Sequence, residues 1–218
     1  MDNLEKMYDR RFGEDIEFRK KMYKVLCGRF FQKYIPEDST VLDIAAGYCE
    51  FTNNIKAKRK IALDRNSDVK KFAGSGVETI VADSTDMKQI ADGTVDAAFA
   101  SNFFEHLSRE DIVKTICEIR RVLKKGGKLL VLQPNIRYCY KDYWMFFDHI
   151  TPLDDRSMSE ALEINGFGVK ECIPRFLPYT TKGKLPKSVL LLKLYLMLPF
   201  ARMIIGRQAF IYAEKIWT

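Results

Sequence analysis

The stretch Thr40-Val-Leu-Asp-Ile-Ala-Ala-Gly-Tyr-Cys-Glu-Phe51 decides the fold. Its first half is apolar and contains the β-branched residues Val41 and Ile44, which is typical of a strand covered on both faces. The small residues 45–47 follow, and the residues after them fit the start of a helix. A tight turn from a parallel strand into a helix exposes backbone N–H groups at the sheet edge where nucleotide-like ligands bind. Small side chains let the backbone approach such a ligand closely.

Length and composition favour one globular domain, residues 1–218, with 47% hydrophobic and 30% charged residues. Residues 1–169 hold 27 basic and 27 acidic side chains, whereas residues 170–218 hold 9 basic and 2 acidic ones. The whole net charge of +7 therefore lies in the C-terminal region. Such a region could face an acidic substrate, anionic lipid or nucleic acid, or could simply be a solvated surface.

The five cysteines, at positions 27, 49, 117, 139 and 172, are odd in number, and no two have the spacing of a zinc pair. Reduced thiols in a cytoplasmic protein are the expected state. The N-terminus is polar and mixed in charge, unlike a secretory signal.

Strand-like and helix-like segments alternate along the chain, after a helical lead-in at residues 1–38. Strands are expected at 40–44, 60–64, 77–81, 95–100, 128–132, 167–173 and 209–213. Helices are expected at 15–34, near 50–57, at 85–90, from the Ser108 cap to the glycines at 126–127, and near 156–164. This order predicts an α/β fold with a mostly parallel sheet and helices on both faces.

Residues 176–208 interrupt that order with a hydrophobic, basic insertion. Its apolar run, 185–205, is broken by Lys193, Pro199 and Arg202, so it is too short and too interrupted to span a membrane. It is apolar nearly all round, so it must be covered by the rest of the protein, by a second copy in a homodimer, or by a membrane surface.

Acidic residues stand at three successive strand ends: Asp43, Asp64 and Asp83. An acid about 20 residues after a small-residue turn can accept hydrogen bonds from ribose hydroxyls, and Asp64 has that position. Asp83 could accept from an adenine amino group, although an acid before Ser84 could also be only a helix cap.

Five segments together resemble the ordered motifs of class I S-adenosylmethionine-dependent methyltransferases, of the type 11 or type 23 kind. They are Val41-Leu-Asp-Ile-Ala-Ala-Gly47, Ala62-Leu-Asp64, Val81-Ala-Asp83, Phe99-Ala-Ser-Asn102 and Ile119-Arg-Arg-Val-Leu-Lys-Lys-Gly-Gly-Lys-Leu129. The resemblance covers residues 40–173. The first motif departs from the family, because Ala45 and Cys49 stand where glycines are common.

The resemblance implies a Rossmann-like three-layer sandwich whose seven-stranded sheet ends in an antiparallel strand. It implies S-adenosylmethionine as the cofactor and S-adenosylhomocysteine as the product. It also implies positions around the cofactor: Asp43, Ala45, Gly47 and Tyr48 by the methionine part, Asp64 on the ribose with Arg65 or Asn66 beside the adenine, Asp83 and Ser84 at the adenine amino group, and Ser101 and Asn102 near the sulfonium.

A sulfonium is already a strong methyl donor, so orientation supplies much of the rate. A hydroxyl acceptor also needs a base, and histidine suits neutral pH. The two histidines, His106 and His149, follow strands four and five, whose loops emerge on the ligand side. His149, in a loop rich in aromatic residues (138–147), is the candidate base or acceptor ligand; His106 is a second candidate, with packing or helix capping as its alternative.

Strand four ends in Ser-Asn-Phe-Phe, not in the Asn/Asp-Pro-Pro-Tyr of relatives that methylate amides and bases, which argues against exocyclic nitrogen. No metal-ligand cluster is visible in the sequence, so a metal-independent reaction without a metal site is expected.

The sequence therefore predicts methyl transfer to an oxygen of a small-molecule, glycan or lipid-linked acceptor. The stretch Arg175–Tyr179 resembles bacterial methyltransferases of surface-polysaccharide settings, which suggests a protein in the cytoplasm or peripheral to the inner membrane face. Three alternatives remain: aminopropyl transfer, a non-catalytic cofactor-binding module, and a less favoured nucleic-acid methyltransferase using the basic region.

Overall fold

A computed structural model describes residues 16–179 and 188–216. Seven strands form one sheet in the order β3-β2-β1-β4-β5-β7-β6. The strands are β1 (Thr40–Ile44), β2 (Arg59–Asp64), β3 (Val77–Val81), β4 (Val95–Ser101), β5 (Leu123–Pro134), β6 (Phe167–Leu177) and β7 (Gln208–Lys215). The first five strands pair in parallel, and β7 lies antiparallel between β5 and β6. The predicted seven-stranded, mostly parallel sheet is confirmed.

The α-helices lie mostly where the apolar periodicity predicts them. They are α1 (Ile16–Arg29), α2 (Val69–Phe72), α3 (Arg109–Val122), α4 (Ile136–Tyr143), α5 (Asp155–Ile164), α6 (Val189–Met197) and α7 (Pro199–Ile205). Short 3-10 turns occur at Phe31–Lys33 and Phe104–His106. The predicted cap of α3 is confirmed, since Ser108 Oγ accepts a hydrogen bond from the Asp111 amide.

Two predicted helices are wrong. Residues 50–57 and 85–90 form turns, because side chains there take up backbone groups that a helix would use. Asn54 Nδ2 donates to the Glu50 carbonyl at 2.8 Å. The Met87 amide donates to the Glu118 carboxylate at 2.7 Å.

The predicted boundary between α3 and β5 is also wrong. Gly126 and Gly127 do not end the helix, because α3 already ends at Val122 and β5 begins at Leu123. Leu123 is fully buried and pairs with Val95 on β4. The glycines lie where the β4–β5 register shifts, and Gly126 takes a φ of +70° there. They serve an irregularity of the strand pair rather than a helix cap.

Apolar side chains cover both faces of the sheet, which explains why its central strands are nearly all apolar. On one face, Ile116 of α3 and Leu162 of α5 pack into the larger cluster of buried side chains. On the other, Leu26 of α1, Phe31 and Phe176 form an aromatic-rich cluster. Burial of such side chains stabilises the fold by about 1.5–3 kcal/mol each. The sheet is thereby a rigid base for the turns at its carboxyl edge.

The insertion begins later than predicted, because β6 continues to Leu177. Part of it, residues 180–187, lies outside the described residues, as do the lead-in residues 1–15. Helices α6 and α7 contain no buried residue. Within 16–179 and 188–216, no helix combines the length and apolar character needed to cross a bilayer.

Candidate active site

A cavity of about 1010 Å³ opens at the carboxyl edge of the sheet. It is lined by the turns after β1, β2, β3 and β4 and by the loop 146–150 with α6 and α7. The part formed by the loop 146–150 and the residues that contact it is called the far end. Every residue that the sequence assigned to cofactor or chemistry lines this cavity. They are Asp43, Ala45, Gly47, Tyr48, Asp64, Arg65, Asp83, Ser84, Ser101, Asn102, His106 and His149. Twelve residues spread over 107 positions (149 − 43 + 1) thus share one site.

The turn after β1 alternates in and out of the left-handed backbone region. Ala45, Gly47 and Cys49 have φ values of +54°, +49° and +58°. Glycine adopts this region freely, whereas an L side chain costs about 1–2 kcal/mol there. Glycine is therefore the residue that fits these three positions without backbone strain. In this chain, Ala45 and Cys49 occupy two of them and are strained. A Cβ built on Gly47 would meet nothing within 4 Å, so the turn faces open space into which a ligand fits.

Cys49 faces protein rather than the cavity. Its side chain is fully buried with Ala46, Ala62 and Val69, and its Sγ lies 3.7 Å from the Val69 carbonyl oxygen. Burial raises the pKa of the thiol to about 12, so it is neutral at physiological pH. The third glycine position is therefore a packing position in this chain.

Asp64 at the end of β2 is held by two backbone amides. Oδ2 accepts from Gly47 at 2.9 Å, and Oδ1 accepts from Asn66 at 2.8 Å. A carboxylate has about four lone-pair sites, so two further hydrogen bonds can be accepted from ligand hydroxyls.

Asp83 and Ser84, after β3, are also engaged within the protein. Asp83 Oδ1 accepts from the amide and the hydroxyl of Thr85, at 2.9 and 2.8 Å. Ser84 Oγ lies 2.8 Å from Thr115 Oγ1, which ties this turn to α3. Because both bonds to Asp83 fall on Oδ1, its Oδ2 can accept from an amino group.

Asp43 lies at the buried floor of the cavity and is 4% exposed. Burial and the nearby Glu50 carboxyl raise its pKa well above the usual value, and hydrogen bonds from Thr52 only partly offset this. Glu50 is itself bonded to Arg19 of α1 at 3.0 Å. The sequence assigned α1 only a packing role, but Arg19 and Tyr23 also line the cavity.

Ser101 and Asn102 form a polar ledge at the end of β4. The Tyr23 hydroxyl and the Asn102 Nδ2 group lie 2.9 and 3.0 Å from Ser101 Oγ. Asn102 has a φ of +48°, and its Oδ1 accepts from Gln208 Nε2 at 3.0 Å. Sequence reasoning missed Tyr23 and Gln208. A hydroxyl on an otherwise apolar helix face was a signal for Tyr23, whereas nothing local marked Gln208.

The far end of the cavity holds both histidines. His106 Nδ1 lies 3.1 Å from the Asp148 carbonyl oxygen and 3.3 Å from a carboxylate oxygen of the same residue. The two imidazole rings are 5.0 Å apart, edge to face, and His149 also packs against Tyr143 and Phe146. The two loops thus meet as the parallel strand order predicted.

Glu105 joins the histidines, although the sequence gave no reason to select it. It is 1% exposed, and burial raises the pKa of its carboxyl to about 7, against the opposing attraction of His106. Ligand atoms of Glu105, His106 and His149 all lie within 4.8 Å of one another. The sequence did not indicate this group, because His149 lies 43 positions after His106. The expectation of a metal-independent reaction stays a prediction.

Comparison with known proteins agrees with this geometry. Residues 42–131 match the family model described as a methyltransferase domain. An S-adenosylmethionine-dependent methyltransferase from Archaeoglobus fulgidus is 20% identical with a TM-score of 0.69, over 98% of this chain and 100% of that one. A second from Methanosarcina mazei is 15% identical with a TM-score of 0.64, over 87% and 98%. No curated protein matches the chain significantly.

A third solved structure was determined with S-adenosylhomocysteine, Mg²⁺ and geranyl diphosphate bound. It is geranyl diphosphate C-methyltransferase from Streptomyces coelicolor, 14% identical with a TM-score of 0.57, over 82% of this chain and 71% of that one. At such identities the solved structures show the fold.

The site also fits S-adenosylmethionine on its own terms. The turn at Gly47 faces open space, and Asp64 and Asp83 can still accept hydrogen bonds from hydroxyl and amino groups. Residues 42–131 thus match a methyltransferase domain, and the chain shares its fold with solved S-adenosylmethionine-dependent methyltransferases, in agreement with S-adenosylmethionine as the cofactor.

Proposed function

We propose that this protein is an S-adenosylmethionine-dependent methyltransferase that acts on a hydroxyl oxygen of an apolar, lipid-linked acceptor. The observation that carries the proposal is the apolar lining that the insertion and the loop 146–150 give to the cavity. Leu191, Leu194 and Leu198 of the insertion line it, as do Phe147 and Ile150 of the loop. Phe147 is 99% exposed, which is costly in water and favourable against an apolar chain.

The outward faces of α6 and α7 are apolar as well. Met197, Phe200, Met203 and Ile204 are between 64% and 79% exposed. A surface of this kind, next to the cavity mouth, fits a peripheral contact with a membrane that presents the acceptor. A homodimer contact through the same helices is the competing occupant.

The basic charge of the C-terminal region supports a nucleic-acid acceptor less well. Arg175 donates to the carbonyls of Gly206 and Ile204, and Arg202 donates to that of Leu196. Arg207 pairs with Asp142 at 2.7 Å. Arg207 is thus paired with a carboxylate, and the donors of Arg175 and Arg202 tie the insertion to adjoining segments of the protein.

In the proposed reaction the cofactor supplies an activated methyl group on its sulfonium. Asp64 would hold the ribose beside Arg65, Asp83 and Ser84 would hold the adenine end, and Asp43, Ala45, Gly47 and Tyr48 would hold the methionine part. Ser101 and Asn102 would line the site near the sulfonium. The protein's task is then to align the acceptor oxygen with the methyl group and to exclude water.

The histidine pair supplies the group that takes the acceptor's proton. His149 is the favoured base, as the sequence suggested, and His106 stands beside it. A proton on His106 Nδ1 would be held by Asp148, which leaves the lone pair on Nε2. The buried setting keeps competing water away from the reacting oxygen.

The test is acceptor partitioning. Purified full-length protein is incubated with S-adenosylmethionine carrying a labelled methyl group and, separately, with a polyprenyl-linked sugar, the free sugar, and RNA. Label in the organic phase that survives mild base, as an ether does, supports the proposal. Transfer to the free sugar at the same rate, or to RNA alone, contradicts the lipid-linked acceptor.

A further inference from the structure

We propose that Glu105, His106 and His149 bind a divalent transition-metal ion at the acceptor end of the cavity. Two imidazoles and one carboxylate form a ligand set that zinc, cobalt, iron and manganese accept, and it leaves coordination positions open for a further ligand. The three candidate ligand atoms already lie within 4.8 Å of one another.

The orientation of His106 supports ligation. Its Nδ1 lies 3.1 Å from the carbonyl oxygen and 3.3 Å from the carboxylate of Asp148, both of which are hydrogen-bond acceptors. The proton is therefore placed on Nδ1, so the lone pair is on Nε2, the atom that lies 3.8 Å from Glu105 Oε1. Histidine ligands in metal sites typically use one nitrogen for the metal and the other for such an oxygen.

Glu105 supplies a second, independent observation. It is 1% exposed, and its Oε2 atom is buried with no hydrogen-bond partner in the part of the chain that the structure describes. A buried carboxylate oxygen without a partner is costly, and a cation between it and the imidazoles would remove that cost.

The two loops that carry the ligands are fastened to each other. The Glu105 carbonyl accepts from the amides of Ile150 and Thr151, at 2.8 and 3.1 Å. Thr151 Oγ1 donates to the Leu107 carbonyl at 2.6 Å, and the Tyr143 hydroxyl donates to the Thr151 carbonyl at 2.6 Å. Ligands from different strands are thus positioned before an ion arrives, which limits the ordering cost of binding.

Binding requires some side-chain movement. Bonds of about 2.0–2.2 Å to a tetrahedral ion place two ligand atoms about 3.3–3.6 Å apart. His106 Nε2 and Glu105 Oε1, at 3.8 Å, need to close by only a few tenths of an ångström, and a pair 4.8 Å apart would close by about 1.2–1.5 Å. Mg²⁺ prefers oxygen ligands in a strict octahedron and is expected to bind more weakly than ions that accept imidazole.

An ion here would lower the pKa of a coordinated acceptor hydroxyl, so the histidines would act as ligands instead of as the free base. This role rests on the proposed function, whereas ion binding itself does not.

The experiment measures binding without cofactor or acceptor. Full-length protein is freed of metal with a chelator, dialysed, and titrated with Co²⁺, Zn²⁺, Mn²⁺ and Mg²⁺ by calorimetry, and the visible spectrum of the Co²⁺ complex is recorded. One ion per chain, with ligand-field bands typical of nitrogen and oxygen ligands, is expected. His106→Ala, His149→Ala and Glu105→Gln should each weaken Co²⁺ binding at least tenfold.

Cys172→Ser is the control for binding to an exposed thiol and should leave the titration unchanged. Circular dichroism establishes that each variant is folded. The absence of Co²⁺ and Zn²⁺ binding to the unaltered protein at millimolar ion overturns the proposal, even if a variant fails to fold. Equal binding by folded His149→Ala also overturns it. Methyl transfer without ion binding would contradict the metal site and leave the proposed function standing. Ion binding without methyl transfer would support the metal site and contradict the proposed function.

Discussion

The backbone amide of Gly47 donates a 2.9 Å hydrogen bond to Oδ2 of Asp64. This bond joins the turn after β1 to the end of β2, so the residues proposed to hold the methionine part and the ribose of the cofactor form one unit. In the proposed site Asp64 would act on the cofactor directly and also through the turn that it fixes.

Asp64→Ala should weaken S-adenosylmethionine binding by about 10- to 100-fold. It removes both the proposed ribose acceptor and the support of the turn, and hydrogen bonds to charged groups contribute about 1.5–3 kcal/mol each. Calorimetry with the cofactor checks this. The matched control is Asp86→Ala, which removes an exposed carboxylate paired with Lys88 outside the cavity and should not change the affinity. Equal affinities in the two variants would contradict the role of Asp64.

Ala45→Gly should be more favourable for stability than Ala46→Gly by about 1–2 kcal/mol. Both substitutions add the same flexibility to the unfolded chain. Only Ala45, at a φ of +54°, has left-handed strain to release, whereas Ala46 has no positive φ. Urea unfolding of the two variants measures the difference. Equal free energies of unfolding would show that the backbone at Ala45 is not strained.

Asp43→Asn should stabilise the protein at neutral pH but not near pH 4. Burial raises the pKa of the Asp43 carboxyl well above its ordinary value, so the folded state holds the proton more tightly than the unfolded state. Its contribution is fully present at low pH and is lost as the pH rises through the raised pKa. Asparagine cannot ionise, so the variant avoids that loss.

Unfolding temperatures between pH 4 and pH 8 test this, and the gain should grow with pH. Asp86→Asn is the control, because the hydrogen bond from Lys88 lowers the pKa of Asp86 and no such gain is expected. If Asp43→Asn raised the unfolding temperature equally at every pH, ionisation of Asp43 would not be the cause, and the prediction would be wrong.

Phe200→Asp combined with Ile204→Asp should reduce binding to anionic lipid vesicles about tenfold or more. These side chains are 79% and 78% exposed, and burying each would contribute about 1.5–3 kcal/mol. Ile164→Asp is the control, because Ile164 is 75% exposed on α5 and does not line the cavity. This variant should bind vesicles as the unaltered protein does. Co-sedimentation measures binding. The alternative is a homodimer contact. If the unaltered protein does not bind vesicles but sediments as a dimer, and the double variant sediments as a monomer, the surface contacts a second copy of the chain.

His149→Ala should lower kcat by about 10²–10⁴-fold while the dissociation constant of S-adenosylmethionine stays the same. The side chain stands at the acceptor end, so it serves the acceptor oxygen rather than the cofactor. Repeating the assay of the unaltered protein with a chelator separates two roles of His149. If His149 acts as a general base, kcat should not respond to the chelator; if it acts as a metal ligand, kcat should fall. Unchanged turnover for both His149→Ala and His106→Ala would exclude the pair from the chemistry.

Local sequence determined most of the cofactor half. The apolar run of β1, the acids at the ends of β2 and β3, and the periodic face of α3 are each set by neighbouring residues. The succession of strands along the chain and the ligand edge of the sheet could therefore be predicted. The turns at 50–57 and 85–90 were not predictable, because side chains such as Asn54 and Glu118 compete with the helix for backbone groups.

The sequence by itself determined that three acids and a small-residue turn meet at one edge of a parallel sheet, since parallel strands carry their carboxyl ends there. Only the tertiary structure decided the acceptor end. Glu105 and His149 come from loops that the β4–β5 pairing brings together, and no local pattern records a contact between residues 44 positions apart (149 − 105). The strain at Ala45 and Cys49 was equally hidden, because the backbone angle is set by the turn that Asp64 and the core impose.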